Sequence, residues 1–261
     1  MNALDEAKPW LKYYPEGVAA EIDPPIHPIG TAFDQICQKW SNKTAVIFYG
    51  KKISFGRLRE KVDRLASALF AIGVQKGDRV ALLLLNSPEY LISFYAIAKL
   101  GAIASPISPV YVSSEIAHQL KDSGSETLIC NDILYEAVER SEVPLKNVVI
   151  TNVSDSLPKI KKFFGKSILR GAYEDMARPG SEIFQKKGFY HFQNLMEKYE
   201  PEPPEIEIDP KKDLVVLPYT GGTTGPPKGV MITHYNCMAN VAQIRHFLPF
   251  LKEGQETWID Y

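Results

Sequence analysis

The residues best suited to chemistry lie in one glycine- and threonine-rich stretch, residues 219–229, between two short apolar runs. Its glycines permit positive φ and a close approach of the backbone, so that successive amide N–H groups can point at phosphate oxygens. Threonine hydroxyls add donors, Lys228 adds a mobile positive charge suited to phosphate, and Pro226 and Pro227 stiffen the approach. The stretch therefore predicts a polyphosphate-binding loop. Its candidate binding residues are Thr220, Gly221, Gly222, Thr223, Thr224, Gly225 and Lys228.

A polar hairpin turn is the ordinary interpretation of such a cluster of glycines and prolines. A hairpin turn needs about two to five residues, however, whereas this connection has about ten, which include hydroxyl groups and a lysine.

The spacing of the residues disfavours two other nucleotide-binding loops. A Walker loop needs Gly-Lys-Ser/Thr before a helix, but Lys228 lies between Pro227 and Gly229, and residues 230–233 predict a strand. The dinucleotide pattern GxGxxG is absent from the first βα turn.

Upstream of this loop, apolar periodicity alternates short strands with amphipathic helices. Predicted strands occupy residues 45–49, 79–85, 102–105, 127–130 and 147–151, and predicted helices occupy residues 87–101, 113–124 and 133–140. Residues 214–217 predict a further strand before the loop. Repeated βαβ units predict an α/β fold with a doubly wound, mostly parallel sheet flanked by helices on both faces. The proline-rich residues 1–30 predict an extended surface arm, and residues 199–210 predict an extended connector.

Two further helices have residues suited to cap their first turn, and one of them also has a predicted stop. Ser54 can cap one helix, and Gly73 is its predicted stop. Thr31 can cap an earlier helix, with Asp34 three residues on. The predicted apolar stripe of this earlier helix is Phe33, Ile36, Cys37 and Trp40. Ser87 is likewise expected to cap the helix that follows it.

The composition is that of a globular protein, with 261 residues of which 45% are hydrophobic and 23% charged. It excludes disordered, collagen-like and coiled-coil chains. The formal net charge of −1 gives no overall field that would recruit nucleic acid, so any bound anion must be held locally. Because no apolar run reaches signal-peptide or membrane-span length, we expect a cytoplasmic protein. Cys37, Cys130 and Cys237 lack ligand spacing and predict buried thiols, without a disulfide or a zinc site.

Residues 159–170 predict a basic amphipathic helix, because basic residues and no acidic ones accompany apolar residues at helical spacing. Two interpretations stay open. The element could make peripheral contact with an anionic membrane surface, or it could be a surface helix docked by its phenylalanines. Since Gly165 interrupts the helix and many surface helices share this pattern, the docked helix is favoured. Membrane association of the cytoplasmic protein depends on the first interpretation.

Packing explains several other polar residues better than catalysis does. Glu89, Tyr90 and Tyr95 lie on a predicted helix after a buried strand, where packing and capping are expected. His118 is expected to be a solvated helix residue. Tyr219 is expected to pack against the loop.

A second set of polar residues follows the loop. His234, Asn236 and Asn240 come directly after the predicted strand at residues 230–233. Capping of a helix that continues to Phe247 is their first interpretation, and contact with a nearby ligand is the second.

The string YTGGTTGPPKGVMITH, residues 219–234, resembles the phosphate-loop signature of the adenylate-forming superfamily, which includes acyl-CoA synthetases, luciferases and peptide-synthetase adenylation domains. Supporting blocks appear upstream in the family's order, at residues 53–58, 77–80, 86–89 and 99–109. Within the superfamily, the Gly-Gly-Thr-Thr-Gly sequence and the long insert before the loop most resemble long-chain fatty-acid–CoA ligases.

This resemblance implies a reaction in two steps. A fatty acid and ATP would give an acyl-adenylate and pyrophosphate, and the thiol of CoA would then displace AMP to form a thioester. Lys228 and Thr224 would be the catalytic residues, because they oppose the charge that builds on the departing pyrophosphate. Mg²⁺ would share this task. The implied cofactors and partners are ATP, Mg²⁺, CoA and a fatty acid, with no nucleic acid.

The resemblance also implies that residues 1–261 are the N-terminal portion of an adenylation domain, because the family's adenine, ribose, metal, hinge and catalytic-lysine motifs lie further along. We therefore expect this chain to be inactive as a ligase on its own, and the parent protein to be a homodimer. Two alternatives stay open. One is another adenylate-forming ligase that uses an aryl or a short- or medium-chain acid, and the other is a non-catalytic nucleotide- or lipid-binding module.

Overall fold

The computed structural model describes residues 8–152, 179–221 and 225–248. Its α-helices are α1 (Ile29–Lys39), α2 (Phe55–Ala71), α3 (Pro88–Lys99), α4 (Ser113–Ser123), α5 (Tyr135–Glu139), α6 (Phe192–Lys198) and α7 (His234–Phe247). Short 3-10 helices span Pro9–Tyr13, Asp132–Leu134 and Ser181–Gln185. The strands are β1 (Thr44–Phe48), β2 (Lys51–Ser54), β3 (Arg79–Leu83), β4 (Ile103–Pro106), β5 (Thr127–Asn131), β6 (Asn147–Thr151), β7 (Phe189–His191), β8 (Leu214–Val216), β9 (Tyr219–Thr220), β10 (Lys228–Gly229) and β11 (Ile232–Thr233).

Within these described residues, a seven-stranded sheet forms the centre of the fold, in the order β11-β8-β4-β3-β5-β6-β7. Neighbouring strands from β8 to β7 are parallel, and β11 runs antiparallel to β8. The chain enters the sheet at β3, places β4 on one side of it and then places β5 on the other. Connections of opposite direction put helices on both faces. The predicted doubly wound, mostly parallel α/β fold is confirmed.

The two faces of β3 bury different hydrophobic cores. Val80 and Leu82 belong to a cluster that includes residues of α1, α2, α3 and α6. Ala81 and Leu83 belong to a second cluster, which includes residues of α4 and α5. Successive side chains of a strand point to opposite faces, so a strand covered on both sides needs an unbroken apolar run. This requirement explains the absence of polar residues between positions 80 and 85.

Helix α2 begins and ends where the sequence predicts. The hydroxyl of Ser54 accepts a hydrogen bond from the backbone N–H of Arg57 at 3.2 Å, which satisfies one of the unpaired donors of the first turn. Gly73 follows the helix with a φ of 98°, a conformation that is strained for any residue with a side chain. Both signals are therefore confirmed.

Helix α1 begins at Ile29, earlier than predicted, and Pro28 is its N-cap. Thr31 lies inside the helix, so the predicted cap is wrong. The backbone N–H of Ile29 instead donates to Nδ1 of His234 at 3.2 Å. A side chain distant in sequence thus satisfies a donor of the first turn, and tertiary structure decides where the helix starts.

Three side chains on the helices differ from prediction. Ile36 is 46% exposed, although it belongs to the predicted apolar stripe of α1. Of that stripe, Phe33 and Cys37 are buried. Cys237 is only partly buried on α7, whereas the other two thiols are buried as predicted. Ser87 precedes α3, but its buried hydroxyl makes no capping hydrogen bond with the first turn.

The N-terminal arm lies against helix α7. Residues 14–28 form no helix or strand, as predicted for an extended arm, but the prediction for residues 1–30 is wrong at Pro9–Tyr13, which form a 3-10 helix, and at residues 29–30, which begin α1. The backbone N–H of Ala19 donates to Nε2 of His246 at 2.6 Å, and the ring of Tyr14 packs edge-on against Phe247 with centroids 4.8 Å apart. The predicted connector, residues 199–210, also contains no helix or strand.

Candidate functional site

The predicted phosphate loop connects the two arms of an antiparallel hairpin. Strands β9 and β10 pair Thr220 with Lys228 and Tyr219 with Gly229, and the N–H of Val230 donates to the carbonyl of Pro218 at 2.8 Å. The two paired strands are therefore joined by residues 221–227, a connection longer than a tight turn. The element has the paired base of a hairpin, and the binding role of the longer connection stays a prediction.

This hairpin leaves the sheet at the carboxyl end of β8. Strand β8 is parallel to β4, and the N–H of Leu217 donates to the carbonyl of Ala104 at 2.8 Å. The chain returns in β11, which pairs Ile232 with Val216. Ligands of open α/β sheets bind outside the carboxyl ends of the strands, so the hairpin occupies the edge where a ligand is expected. The strand predicted at 230–233 forms only at Ile232–Thr233, because Val230 and Met231 are exposed and belong to no strand.

Four of the predicted binding residues are described and exposed: Thr220, Gly221, Gly225 and Lys228. The hydroxyl of Thr220 donates to the backbone carbonyl of Lys228 at 3.4 Å, across the base of the loop. An exposed ammonium group at this edge suits an anion with several oxygen atoms. The other three predicted binding residues, Gly222, Thr223 and Thr224, lie outside the described residues, and their roles stay predictions.

Two glycines of the loop, Gly221 and Gly225, leave space beside the backbone and do not adopt a left-handed conformation. Neither Gly221 nor Gly225 has positive φ, and a Cβ on either would meet no atom within 4 Å. The prediction of positive φ is therefore wrong at these two positions, where the missing side chain leaves open space beside the backbone. At Gly229, by contrast, a Cβ would lie 3.1 Å from Leu217 Cδ1 and 3.3 Å from Tyr219 Cε2. Gly229 allows the second arm to pack closely on the first.

Helix α4 contacts both arms of the hairpin. The hydroxyl of Tyr219 donates to Oδ2 of Asp122 at 2.5 Å, and Nε2 of His118 donates to the carbonyl oxygen of Pro227 at 3.0 Å. The prediction that His118 is a solvated helix residue is therefore wrong. Sequence reasoning also missed Asp122, because no local pattern places α4 beside the loop. Asp122 and His118 are four residues apart and therefore lie on the same face of α4, but this spacing indicates a function only once the hairpin is known to lie beside that face.

Tyr219 is held as a protonated donor. Burial raises the pKa of Tyr219 well above its usual range, and the negative charge of Asp122 raises it further. The phenol is half-buried, and its ring lies nearly perpendicular to that of His118, with centroids 6.4 Å apart. These contacts give Tyr219 a structural role at the base of the loop.

His234 is fully buried at the first position of α7, directly after β11. Burial lowers its pKa to about 4, although the nearby charge of Asp213 opposes the shift. The predicted capping role of His234 is wrong, because its neutral ring accepts the N–H of Ile29 instead. Thr233 caps the helix: its hydroxyl accepts the N–H of Asn236 at 3.2 Å, and its N–H donates to Oδ1 of Asn236 at 3.0 Å.

The residues on α3 pack as the sequence predicts. Glu89 is buried in the first turn, where a carboxylate is favoured by the helix dipole. The ring of Tyr95 stacks on Phe33 with centroids 4.1 Å apart, and Tyr90 packs beside the same core. Asn240 is an exposed residue of α7.

The described residues contain neither a cluster suited to a metal ion nor a helix suited to span a membrane. In residues 8–152, 179–221 and 225–248, no three His, Cys, Asp or Glu side chains gather closely enough to hold a metal ion. None of the helices in these ranges is both long and apolar enough to span a bilayer. The predicted basic helix at 159–170 lies outside the described residues.

The fold and the hairpin define an α/β protein that carries a glycine-containing loop at the carboxyl edge of its sheet. The model of the AMP-binding enzyme family matches residues 33–259. The chain belongs to this family.

Two curated relatives and one solved structure are named as long-chain-fatty-acid–CoA ligases. A long-chain-fatty-acid–CoA ligase from Bacillus subtilis is 36% identical over 97% of this chain and 45% of the relative, and one from Salmonella typhimurium is 31% identical over 95% and 44%. The crystal structure of such a ligase from Archaeoglobus fulgidus matches with a TM-score of 0.70 and 26% identity, over 92% of this chain and 42% of that one. The chain thus spans less than half the length of these relatives.

Proposed function

We propose that this chain is part of an ATP-dependent, AMP-forming fatty-acid–CoA ligase. The observation that carries the proposal is an exposed lysine, Lys228, on an open glycine-containing loop at the carboxyl edge of the sheet. Membership of the AMP-binding enzyme family supports the nucleotide. The names of the relatives at 31–36% identity support the fatty acid and CoA.

The proposed reaction has two balanced steps. A carboxylate oxygen of the fatty acid attacks the α-phosphorus of ATP, and the bond from that phosphorus to the pyrophosphate oxygen breaks. The sulfur of CoA then attacks the acyl carbon of the adenylate, and the bond from this carbon to the AMP oxygen breaks. The thiol proton passes to solvent, and the products are the thioester, AMP and pyrophosphate.

In this proposal, Lys228 and Thr224 act on the leaving pyrophosphate. The ammonium group and the hydroxyl oppose the negative charge that develops there, together with the hydroxyls of Thr220 and Thr223 and the amides of the loop glycines. A preorganised donor of this kind contributes about 2–4 kcal/mol to the stabilisation of a transition state. Mg²⁺ on the phosphate oxygens would supply further charge neutralisation. The described loop residues offer it no carboxylate, so any carboxylate that holds it would lie outside them.

We assign residues 1–261 to the N-terminal portion of the adenylation domain. The adenine, ribose and CoA contacts, and any homodimer interface of the parent protein, would then involve residues outside this chain. The share of the relatives that the chain covers, 45% of the Bacillus subtilis ligase, is consistent with this assignment. On its own, the chain is expected to bind pyrophosphate and ATP weakly and to make no acyl-CoA.

The proposal is tested by ATP–pyrophosphate exchange in the full-length protein that contains this chain. We expect exchange that depends on palmitate, followed by palmitoyl-CoA formation when CoA is added. Benzoate and octanoate serve as matched acids for the alternative substrate classes. Exchange that prefers either of them would reassign the substrate, and absence of exchange with all three acids would refute the ligase function.

A further inference from the structure

We propose that helix α4 holds both arms of the phosphate loop, with His118 and Asp122 as positioning residues for adenylate formation. The inference rests on the proposed function. His118 and Asp122 are four residues apart in an α-helix, so they project from the same face. From this face one side chain reaches each arm of the hairpin.

The first contact fixes the arm that enters the loop. Oδ2 of Asp122 accepts a hydrogen bond from the hydroxyl of Tyr219 at 2.5 Å. Tyr219 directly precedes Thr220, the first predicted phosphate-binding residue. A hydrogen bond to a charged acceptor is stronger than one between neutral groups, so the tyrosine is firmly held where the chain turns towards the ligand.

The second contact fixes the arm that leaves the loop. A carbonyl oxygen can only accept, so Nε2 of His118 carries the proton that bonds to Pro227 at 3.0 Å. Pro227 directly precedes Lys228, the proposed catalytic cation. The imidazole therefore orients the backbone one residue before the ammonium group that would meet the leaving pyrophosphate.

The platform behind these contacts is rigid. Ile116 and Leu120, on the inner face of α4, are each 1% exposed within the second core. At the edge of the sheet, the N–H of Leu217 is bonded to the carbonyl of Ala104. The hairpin is thus held by the sheet at its root and by α4 along both arms. Groups that act on a developing charge are most effective when such supports fix them before the substrate arrives.

The test compares His118→Ala, His118→Gln, Asp122→Ala and Tyr219→Phe in the full-length protein by ATP–pyrophosphate exchange. Loss of one hydrogen bond is expected to lower kcat about fivefold, because a less well positioned loop opposes the charge on the leaving pyrophosphate less well. The KM for palmitate should stay within about twofold of its wild-type value, because the acid does not touch these residues in the proposed geometry. The amide N–H of His118→Gln can replace the imidazole donor, so this variant should recover most of the loss.

Lys121→Ala is the matched control, because it changes an exposed residue of the same helix. Thermal unfolding identifies variants that fail to fold, and Tyr219→Phe removes a single oxygen atom where the larger changes are not tolerated. An active wild type whose variants all keep the wild-type kcat would overturn the positioning role alone. Equal increases in the KM values for ATP and palmitate would also overturn it. A wild type without exchange would overturn the proposed function, and the positioning role with it.

Discussion

The backbone N–H of Ile29 donates to Nδ1 of His234, 3.2 Å away and 205 positions further along the chain. This hydrogen bond joins the first residue of α1 to the first residue of α7, which follows the β9–β10 hairpin and β11. The end of the N-terminal arm and the exit of the hairpin therefore meet at one buried imidazole. The ring must stay neutral to accept this bond, which makes the junction sensitive to pH.

We predict that His234 makes the fold less stable in acid. Its pKa is lowered from 6.5 to about 4 by burial, so the unfolded chain takes up the proton more readily than the folded chain. The stabilisation is complete above about pH 6.5 and is lost as the pH falls towards 4. Between about pH 7 and pH 5, the loss should be about 2 kcal/mol of unfolding free energy. Urea unfolding at both pH values measures it.

The variant His234→Asn is the control for this pH dependence, because its amide oxygen can accept the N–H of Ile29 and does not titrate. We expect it to be less stable than the wild type at pH 7, owing to lost packing, and to lack the acid-dependent difference. A wild type and variant whose stabilities fall in parallel between these pH values would contradict the prediction.

Lys228→Ala and Thr224→Ala are predicted to slow adenylate formation at saturating fatty acid. Removal of one preorganised donor should lower the rate about 100-fold, because the charge on the leaving pyrophosphate is then less well opposed. The rate of adenylate formation is measured by ATP–pyrophosphate exchange. Lys212→Ala is the matched control, since its side chain is 84% exposed and pairs with Asp209 away from the loop. A wild-type exchange rate in Lys228→Ala would contradict the assigned role.

Gly229→Ala is predicted to lower stability by about 1–2 kcal/mol, because its Cβ would crowd Leu217 and Tyr219 in a packed hairpin. Gly221→Ala is the matched control within the same element. A Cβ at that position meets no atom within 4 Å, so its effect on unfolding should be small. Chemical unfolding of both variants tests the difference, and equal losses of stability would show that close packing is not what Gly229 provides.

Lys99→Met is predicted to lower stability by about 2–3 kcal/mol, because it leaves neighbouring carboxylates without their ammonium partner. The side chain of Lys99 is 13% exposed, lies 2.7 Å from Asp34 and also contacts Asp63. Burial raises the pKa of Asp63, and Lys99 opposes this rise. Arg140→Ala breaks an exposed pair with Glu136 and should have no measurable effect in the same urea titration. Comparable losses in the two variants would argue against a special role for the buried cluster.

The basic segment at residues 159–170 is predicted to be a docked surface helix. Changing Lys161, Lys162 and Lys166 together to Glu reverses its charge. If the segment docks on the protein, this variant and the wild type should associate equally with anionic vesicles in a flotation assay. Vesicle binding by the wild type that the variant loses would instead establish membrane contact.

The fold class could be predicted because local patterns encode it. The apolar run at residues 80–85 can only suit a strand covered on both faces, and the capping hydroxyl of Ser54 and the stop at Gly73 act within their own helix. The prediction of a binding loop at 219–229 rests on the same kind of evidence, since its donors and cation follow one another along the chain. Errors at Thr31, His118 and His234 arose where a partner distant in sequence overrode the local preference.

Thus the sequence by itself indicated most of the strands and helices before residue 152, the doubly wound parallel sheet, and the residues that are suited to hold a polyphosphate. Only the tertiary structure decided that α4 lies beneath the loop and that α1 starts against His234. His118 and Pro227 are 109 positions apart, and their contact depends on the order in which β3, β4 and β8 join the sheet. The periodicity of apolar residues predicts whether a side chain is buried, but the order of the strands decides which distant side chains it contacts.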